Sequence, residues 1–295
     1  MVRRRRERWA PLAFLAPAVI TLLAVGLYPL ILAVITSFRQ YLVTKPRAPR
    51  DFVGFDNYAT VLTDPTFWES LGRTFEFLLI VLPIELALGL GIALLLHKPG
   101  LGLLRTLTRV SLVIPLATTF AVVGLIGRLL FNREFGVVNW FLSLVGIAPV
   151  EWLGQPGTAF ASVALMDIWQ WTPFVALVLL AGLTMVPPEI EEAARLETKN
   201  PWKVLRYIQL PYLLPGITAV LILRTADILK LFDLVFVMTR GGPGSATELI
   251  SVYIQRIGFR VFDQGIASAQ AILLLILTII LSRLYIRLVY REVEA

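Results

Sequence analysis

The 295-residue chain is 57% hydrophobic and only 16% charged, with a mean hydropathy of +0.78, whereas soluble domains carry about a quarter charged residues, so a bilayer is the expected solvent. It has no Cys and one His, which excludes disulfides, thiolate nucleophiles and multi-histidine metal sites. The net charge of +7 would suit nucleic acid, but Lys and Arg also gather beside membrane spans, and here their placement follows the second pattern, so no nucleic-acid partner is expected.

A helix needs about 20 predominantly apolar residues to cross the hydrocarbon core. Six segments qualify, at 10–37, 74–96, 104–127, 159–186, 212–239 and 267–290, which predicts an all-α polytopic membrane protein with a single transmembrane domain over 1–295. The first follows Arg3-Arg4-Arg5-Arg6 and exceeds the ~7–15-residue apolar region of a cleaved signal peptide, so it reads as a retained helix. His97, where the second run ends in His97-Lys98-Pro99-Gly100, reads as an interfacial loop residue. With six spans the termini share a side. That side receives 15 of the 27 Lys and Arg residues and the other receives ten, five of them in or bordering the long 38–73 segment, which predicts both termini in the cytoplasm.

Ionisable residues inside spans are costly unless paired or turned to a cavity, so they are functional candidates. Glu76 lies near an interface and Glu85 lies deeper. In the fourth span Asp167 stands beside Trp169 and Trp171, a grouping that suits either sugar stacking or simple packing. The fifth span carries Arg224, Asp227, Lys230 and Asp233 at intervals of three, where neighbouring opposite charges can neutralise one another.

Between the fourth and fifth spans, the segment 187–211 begins Pro187-Pro188-Glu189-Ile190-Glu191-Glu192-Ala193-Ala194-Arg195-Leu196-Glu197. A proline in the first turn and carboxylates at the positive end of the dipole predict a helix of about three turns. Ile190, Ala193, Ala194 and Glu197 recur at helical spacing as a small packing face. Asn200-Pro201 breaks the run and starts a second helix, because the residue before proline avoids the helical region. Read on physics alone, this could be an ordinary amphipathic helix on the membrane surface. After the fifth span, Gly241-Gly242-Pro243-Gly244 is glycine-rich but lacks the Lys and Ser/Thr of a phosphate-binding loop, and reads as a turn.

Glu192-Ala193-Ala194, followed by Leu210-Pro211, resembles the EAA loop of permease subunits of bacterial ATP-driven (ABC) importers. Thr198 stands where that loop carries Gly. The resemblance extends along nearly the whole chain and is closest to carbohydrate-uptake permeases of the maltose and glycerol-3-phosphate type. It is carried by Val53-Gly54-Phe55-Asp56-Asn57-Tyr58 with Asp64-Pro65-Thr66-Phe67-Trp68, by Asp167-Ile168-Trp169-Gln170-Trp171-Thr172-Pro173-Phe174, and by Phe232-Asp233 with Thr239-Arg240-Gly241-Gly242-Pro243-Gly244 and Ala246-Thr247-Glu248.

The resemblance implies a type I importer permease fold in the bacterial inner membrane, and a coupling helix at Glu192, Ala193 and Ala194 with Thr198, Leu210 and Pro211. It implies a second, homologous permease in a heterodimer, two ATPase subunits that hold ATP and Mg²⁺, and an extracytoplasmic solute-binding protein, with no cofactor on this chain. It implies a solute path lined by Arg224, Ile228 and Leu231, to which Asp227, Asp167, Trp169 and Trp171 are added as candidates. An arginine in the path would suit an anionic sugar derivative; an arginine held by Asp227 would leave a neutral sugar. The alternative class, an ion-coupled secondary transporter, would use Glu85, Asp167 and Asp227 as a relay, but no inverted repeat is evident. A membrane-embedded enzyme finds no nucleophile, metal set or base constellation in this sequence.

Overall fold

The computed structural model describes residues 14–44, 51–98, 100 and 102–290. Its helices in chain order are α1 (Phe14–Ser37), α2 (Asp56–Thr63), α3 (Pro65–His97), α4 (Gly102–Ala117), α5 (Phe120–Leu130) and α6 (Val137–Leu144). They continue as α7 (Pro156–Thr184), α8 (Pro188–Glu197), α9 (Pro201–Leu229), α10 (Asp233–Met238), α11 (Ile250–Arg256) and α12 (Gln264–Tyr290). Among the described residues, β structure is limited to isolated bridges, Arg39 with Phe52 and Leu42 with Asp263. The all-α expectation holds. Five helices (α1, α3, α7, α9 and α12) are long and apolar enough to span, and α4 with α5 makes a sixth if the bent pair is one span. The polybasic N-terminal tail lies outside the described residues.

The chain divides into two compact units, one comprising 1–65 and 254–275 and the other 66–253 and 276–295. In the first, the end of α1 is fastened to α2: the Ser37 hydroxyl lies 2.7 Å from the Tyr58 hydroxyl, and Asn57 Nδ2 donates to the carbonyls of Ser37 and Arg39 at 2.8 and 2.9 Å. Phe38 packs among Phe52, Phe55 and Tyr58. No residue in the apolar window of α1 is buried in the single chain.

The second unit is organised around α7, which packs against α4, α5, α9 and α10 and buries Val163, Val175, Ala176, Leu179 and Leu183. Close approach here depends on small residues, as membrane helix packing requires. A Cβ on Gly89 of α3 would fall 2.6 Å from Val175 Cγ1, and one on Gly124 of α5 would fall 2.9 Å from Val237 Cβ of α10.

Two expected spans are interrupted. The run expected at 104–127 bends by 100° between α4 and α5, and the Thr118 carbonyl freed at the bend accepts a bond from Gln170 Nε2 of α7 at 2.9 Å. The run expected at 212–239 instead starts at Pro201, ends at Leu229 and resumes as α10. In that gap the Ser251 hydroxyl donates to the Leu231 carbonyl. Broken helices survive at membrane depth only where neighbouring protein satisfies the freed backbone, and each break has such a partner. Lys230 and Asp233 therefore sit at helix ends rather than within a continuous span.

Candidate coupling surface and buried ion triad

The expected helix in 187–211 forms as α8, with Pro188 in its first turn and Glu189 and Glu191 at its positive end. It stops at Thr198, whose backbone is extended (φ −141°, ψ 135°) and whose Oγ1 accepts from Asn200 N at 3.2 Å. The position where the EAA loop carries Gly thus needs no left-handed backbone, and Thr fits it without strain. Asn200 caps the next helix, accepting from Trp202 N at 3.0 Å.

The packing face of α8 differs from the expected one. Ile190, Ala193 and Glu197 are exposed, while Glu191, Ala194 and Thr198 turn toward the chain. Glu191 is the hub of that inner face. Its Oε1 accepts from Gln209 Nε2 at 2.5 Å, its carboxylate oxygens lie 3.3 and 3.4 Å from His97 Nε2, and Arg195 Nη2 approaches at 3.5 Å. His97, expected as a loop residue, instead ends α3 and ties it to α8; Gln209 ends a widened π-type stretch, Leu205–Gln209, at the start of the fifth span. Sequence reading missed Glu191, His97 and Gln209 because they are separated by 94 and 18 residues and no local spacing links them. The opposite face presents Glu192, Ala193 and Leu196, the last 91% exposed. Leu210 and Pro211 continue α9 beyond the hub.

Deeper in the same unit, Glu85 of α3, Asp167 of α7 and Arg224 of α9 form an ion triad, each no more than 1% exposed. Arg224 Nε and Nη2 donate to Glu85 Oε2 and Oε1 at 2.8 Å each, and Nη2 also donates to Asp167 Oδ2 at 2.5 Å. The guanidinium carbon lies 4.6 Å over the Trp171 ring, one turn beyond Asp167 on α7. Charges stripped of water survive only with bonded partners in good geometry, and a planar guanidinium that is bidentate to one carboxylate, shared with a second and stacked on indole meets that condition.

This corrects the partner expected for Arg224. Asp227, three residues along α9, points to the exposed side and pairs with Lys230 at 2.9 Å. The relay of Glu85, Asp167 and Asp227 is not assembled either, since two of the three clasp Arg224. Ile228 and Leu231 join the chain's own hydrophobic core instead of facing open space. Trp171 is inside with the triad, whereas Trp169 is 42% exposed on the other side of α7. On α9 the exposed positions include Ala219 and Leu223, the latter 51% exposed, with Asp227 half-buried beside them and Lys230 exposed at the helix end. Among the described residues no group of three or more His, Asp or Glu side chains is placed to hold a metal ion.

The family model of binding-protein-dependent transport system inner membrane components matches residues 71–294. The chain is 36% identical over 283 residues to the sulfoquinovosyl glycerol transport system permease protein SmoG of Agrobacterium fabrum, covering 96% of this chain and 91% of that protein. It is also 36% identical over 293 residues to the trehalose/maltose transport system permease protein MalF of Thermococcus litoralis, covering 97% and 96%. In fold it is similar to a chain of the bacterial alginate ABC transporter crystallised with an alginate pentasaccharide-bound periplasmic protein, with a TM-score of 0.84 at 22% identity over 99% of this chain and 98% of that one. The helical architecture and the match over most of the chain agree: this protein belongs to the binding-protein-dependent transport system inner membrane components, as a multi-pass permease subunit of an importer and not an ion-coupled secondary transporter.

Proposed function

We propose that this permease carries a sugar or sugar derivative by alternating access and that α8 is its ATPase-docking helix. The observation that carries the docking assignment is the division of α8 into an inner face fixed by Glu191 and an outer face of Glu192, Ala193 and Leu196 left open to a partner. ATP-driven closure of two ATPase subunits, which bind ATP and Mg²⁺, pulls on that outer face, and the Glu191 hub passes the movement to α3 and α9. A second, homologous permease completes the path, and an extracytoplasmic binding protein delivers the solute. Both termini lie in the cytoplasm, on the side of α8.

The sugar assignment is supported by the names of the relatives, whose cargoes are sulfoquinovosyl glycerol and trehalose/maltose. Arg224 is already committed to two carboxylates, so it does not supply a free cation for an anionic cargo. The path-lining role therefore passes to Asp227, whose side chain is 21% exposed, and Trp169, 42% exposed, while Arg224, Asp167, Trp171, Ile228 and Leu231 brace the helices behind it.

The test is the assembled transporter carrying Glu192→Lys. Reversing the charge on the outer face is expected to abolish ATPase stimulation by the sugar-loaded binding protein and to reduce ATPase co-purification, with the permease still present in the membrane. Wild-type stimulation and co-purification would rule out docking through this face.

A further inference from the structure

The segment that joins α5 to α7 folds around one side chain. Asn139 of α6, 5% exposed, donates through Nδ2 to the carbonyls of Arg133 and Val150 at 3.1 and 3.0 Å. Its Oδ1 accepts from Val150 N and Trp152 Nε1 at 3.1 and 2.9 Å. Gly136 lets the chain turn this tightly into α6, since a Cβ there would fall 2.2 Å from the Asn132 carbonyl oxygen. These bonds fix which way α6 faces. Val137, Trp140, Phe141 and Leu144, at the spacing of one helix face, turn away from Asn139 and are 47% to 63% exposed. The ion pair of Arg133 with Glu151, 3.4 Å apart, belongs to the segments that Asn139 holds behind the helix. The module thus keeps its polar bonds inward and presents an apolar face without charge.

The depth of that face is set by α7. Its 29 residues, at about 1.5 Å each, exceed the ~30 Å hydrocarbon core, which puts Pro156 at headgroup level on the membrane face opposite α8. The bonds to Val150 and Trp152 tie α6 to the stretch just ahead of Pro156. A soluble partner that comes and goes is a poor match for the face. Such interfaces are no more apolar than the surface around them, and each departure would return four large apolar side chains to water. A tryptophan beside a phenylalanine, ring centroids 4.8 Å apart, with no charge among them, suits the boundary between headgroups and acyl chains.

We propose that α6 is an interfacial anchor lying along the leaflet opposite α8, with Val137, Trp140, Phe141 and Leu144 sunk to the acyl boundary and Arg133 and Glu151 toward water. No charge on the face takes part, so zwitterionic lipid is sufficient. Through Asn139 the anchor sets the level of the start of α7, the helix around which this unit is organised.

The test is collision EPR on the assembled transporter in phosphatidylcholine nanodiscs. Val137→Cys, Trp140→Cys, Phe141→Cys and Leu144→Cys each carry a nitroxide, with Glu134→Cys as the exposed charged reference; this chain has no other Cys, and the partner subunits are used in cysteine-free form. Oxygen, which concentrates in lipid, is compared with a nickel chelate, which stays in water. The oxygen-to-nickel collision ratio is expected to be several-fold higher at the four face positions than at Glu134. Ratios equal to that at Glu134 would overturn the proposal by placing the face in water, within reach of a soluble protein. Shielding from both reagents would overturn it by placing a partner subunit over the face. The four positions are read separately, so a variant that fails to assemble leaves the other three to decide.

Discussion

Arg224 of α9 grips Glu85 of α3 with two parallel bonds of 2.8 Å across 139 residues of sequence. With Asp167 added, α3, α7 and α9 are joined at one guanidinium. Removing the cation strands two carboxylates away from water, and losing one partner of a buried pair costs about 3–5 kcal/mol. Arg224→Gln is therefore expected to lower the thermal unfolding midpoint of the purified complex and its amount in the membrane. Glu85→Gln leaves a one-to-one pair and should lose less. Adding Asp227→Asn to Arg224→Gln should restore nothing, and a rescue by that double variant would show that Asp227 is the working partner.

Adjacent carboxylates in α8 are expected to fail in different ways. Glu191→Gln keeps the outer face intact but weakens the contacts to His97 and Gln209, so the ATPase should still co-purify while solute transport per ATP hydrolysed falls. Glu192→Gln leaves the hub intact and should act on docking alone. Measuring co-purification, ATPase rate and uptake on the same preparations separates the two, and identical phenotypes would remove the distinction between inner and outer faces.

Thr198 offers a direct check on local backbone. Its extended conformation gains nothing from glycine, which would add unfolded-state freedom worth about 0.5–1 kcal/mol and delete the acceptor for Asn200 N. Thr198→Gly should leave coupling unchanged or weaker. A variant with higher stimulated ATPase activity would mean that a tighter glycine turn suits the loop better.

The absence of Cys from the sequence makes orientation measurable by single-cysteine labelling. Thr60→Cys, exposed on α2, should react with an impermeant maleimide from outside, and Leu196→Cys, at 91% exposure on α8, only from the cytoplasm. Reversed labelling would invert the assigned topology.

Hydropathy located the spans because lipid imposes a long apolar run whatever the tertiary structure. It could not locate the breaks. Thr118 and Thr119 are uncharged and leave the run apolar, and what permits the bend there is a glutamine from another helix. Arg224, Asp167 and Glu85 were each visible as costly charges, yet spacing along one helix nominated Asp227 as the partner, since a rule of three and four residues sees only its own helix. The coupling segment was legible in its ends, set by Pro188 and by Asn200-Pro201. Which side of it faces inward depended on His97 and Gln209, whose approach no periodicity encodes.

The bond from Gln170 to the Thr118 carbonyl orders events in time as well as in space. Its two ends are 52 residues apart, so when α4 and α5 emerge during synthesis the group that satisfies their bend has not yet been made. The same holds for Leu231, whose carbonyl waits 20 residues for Ser251. Until the later helix arrives, each break leaves a carbonyl that water or another polar group has to satisfy.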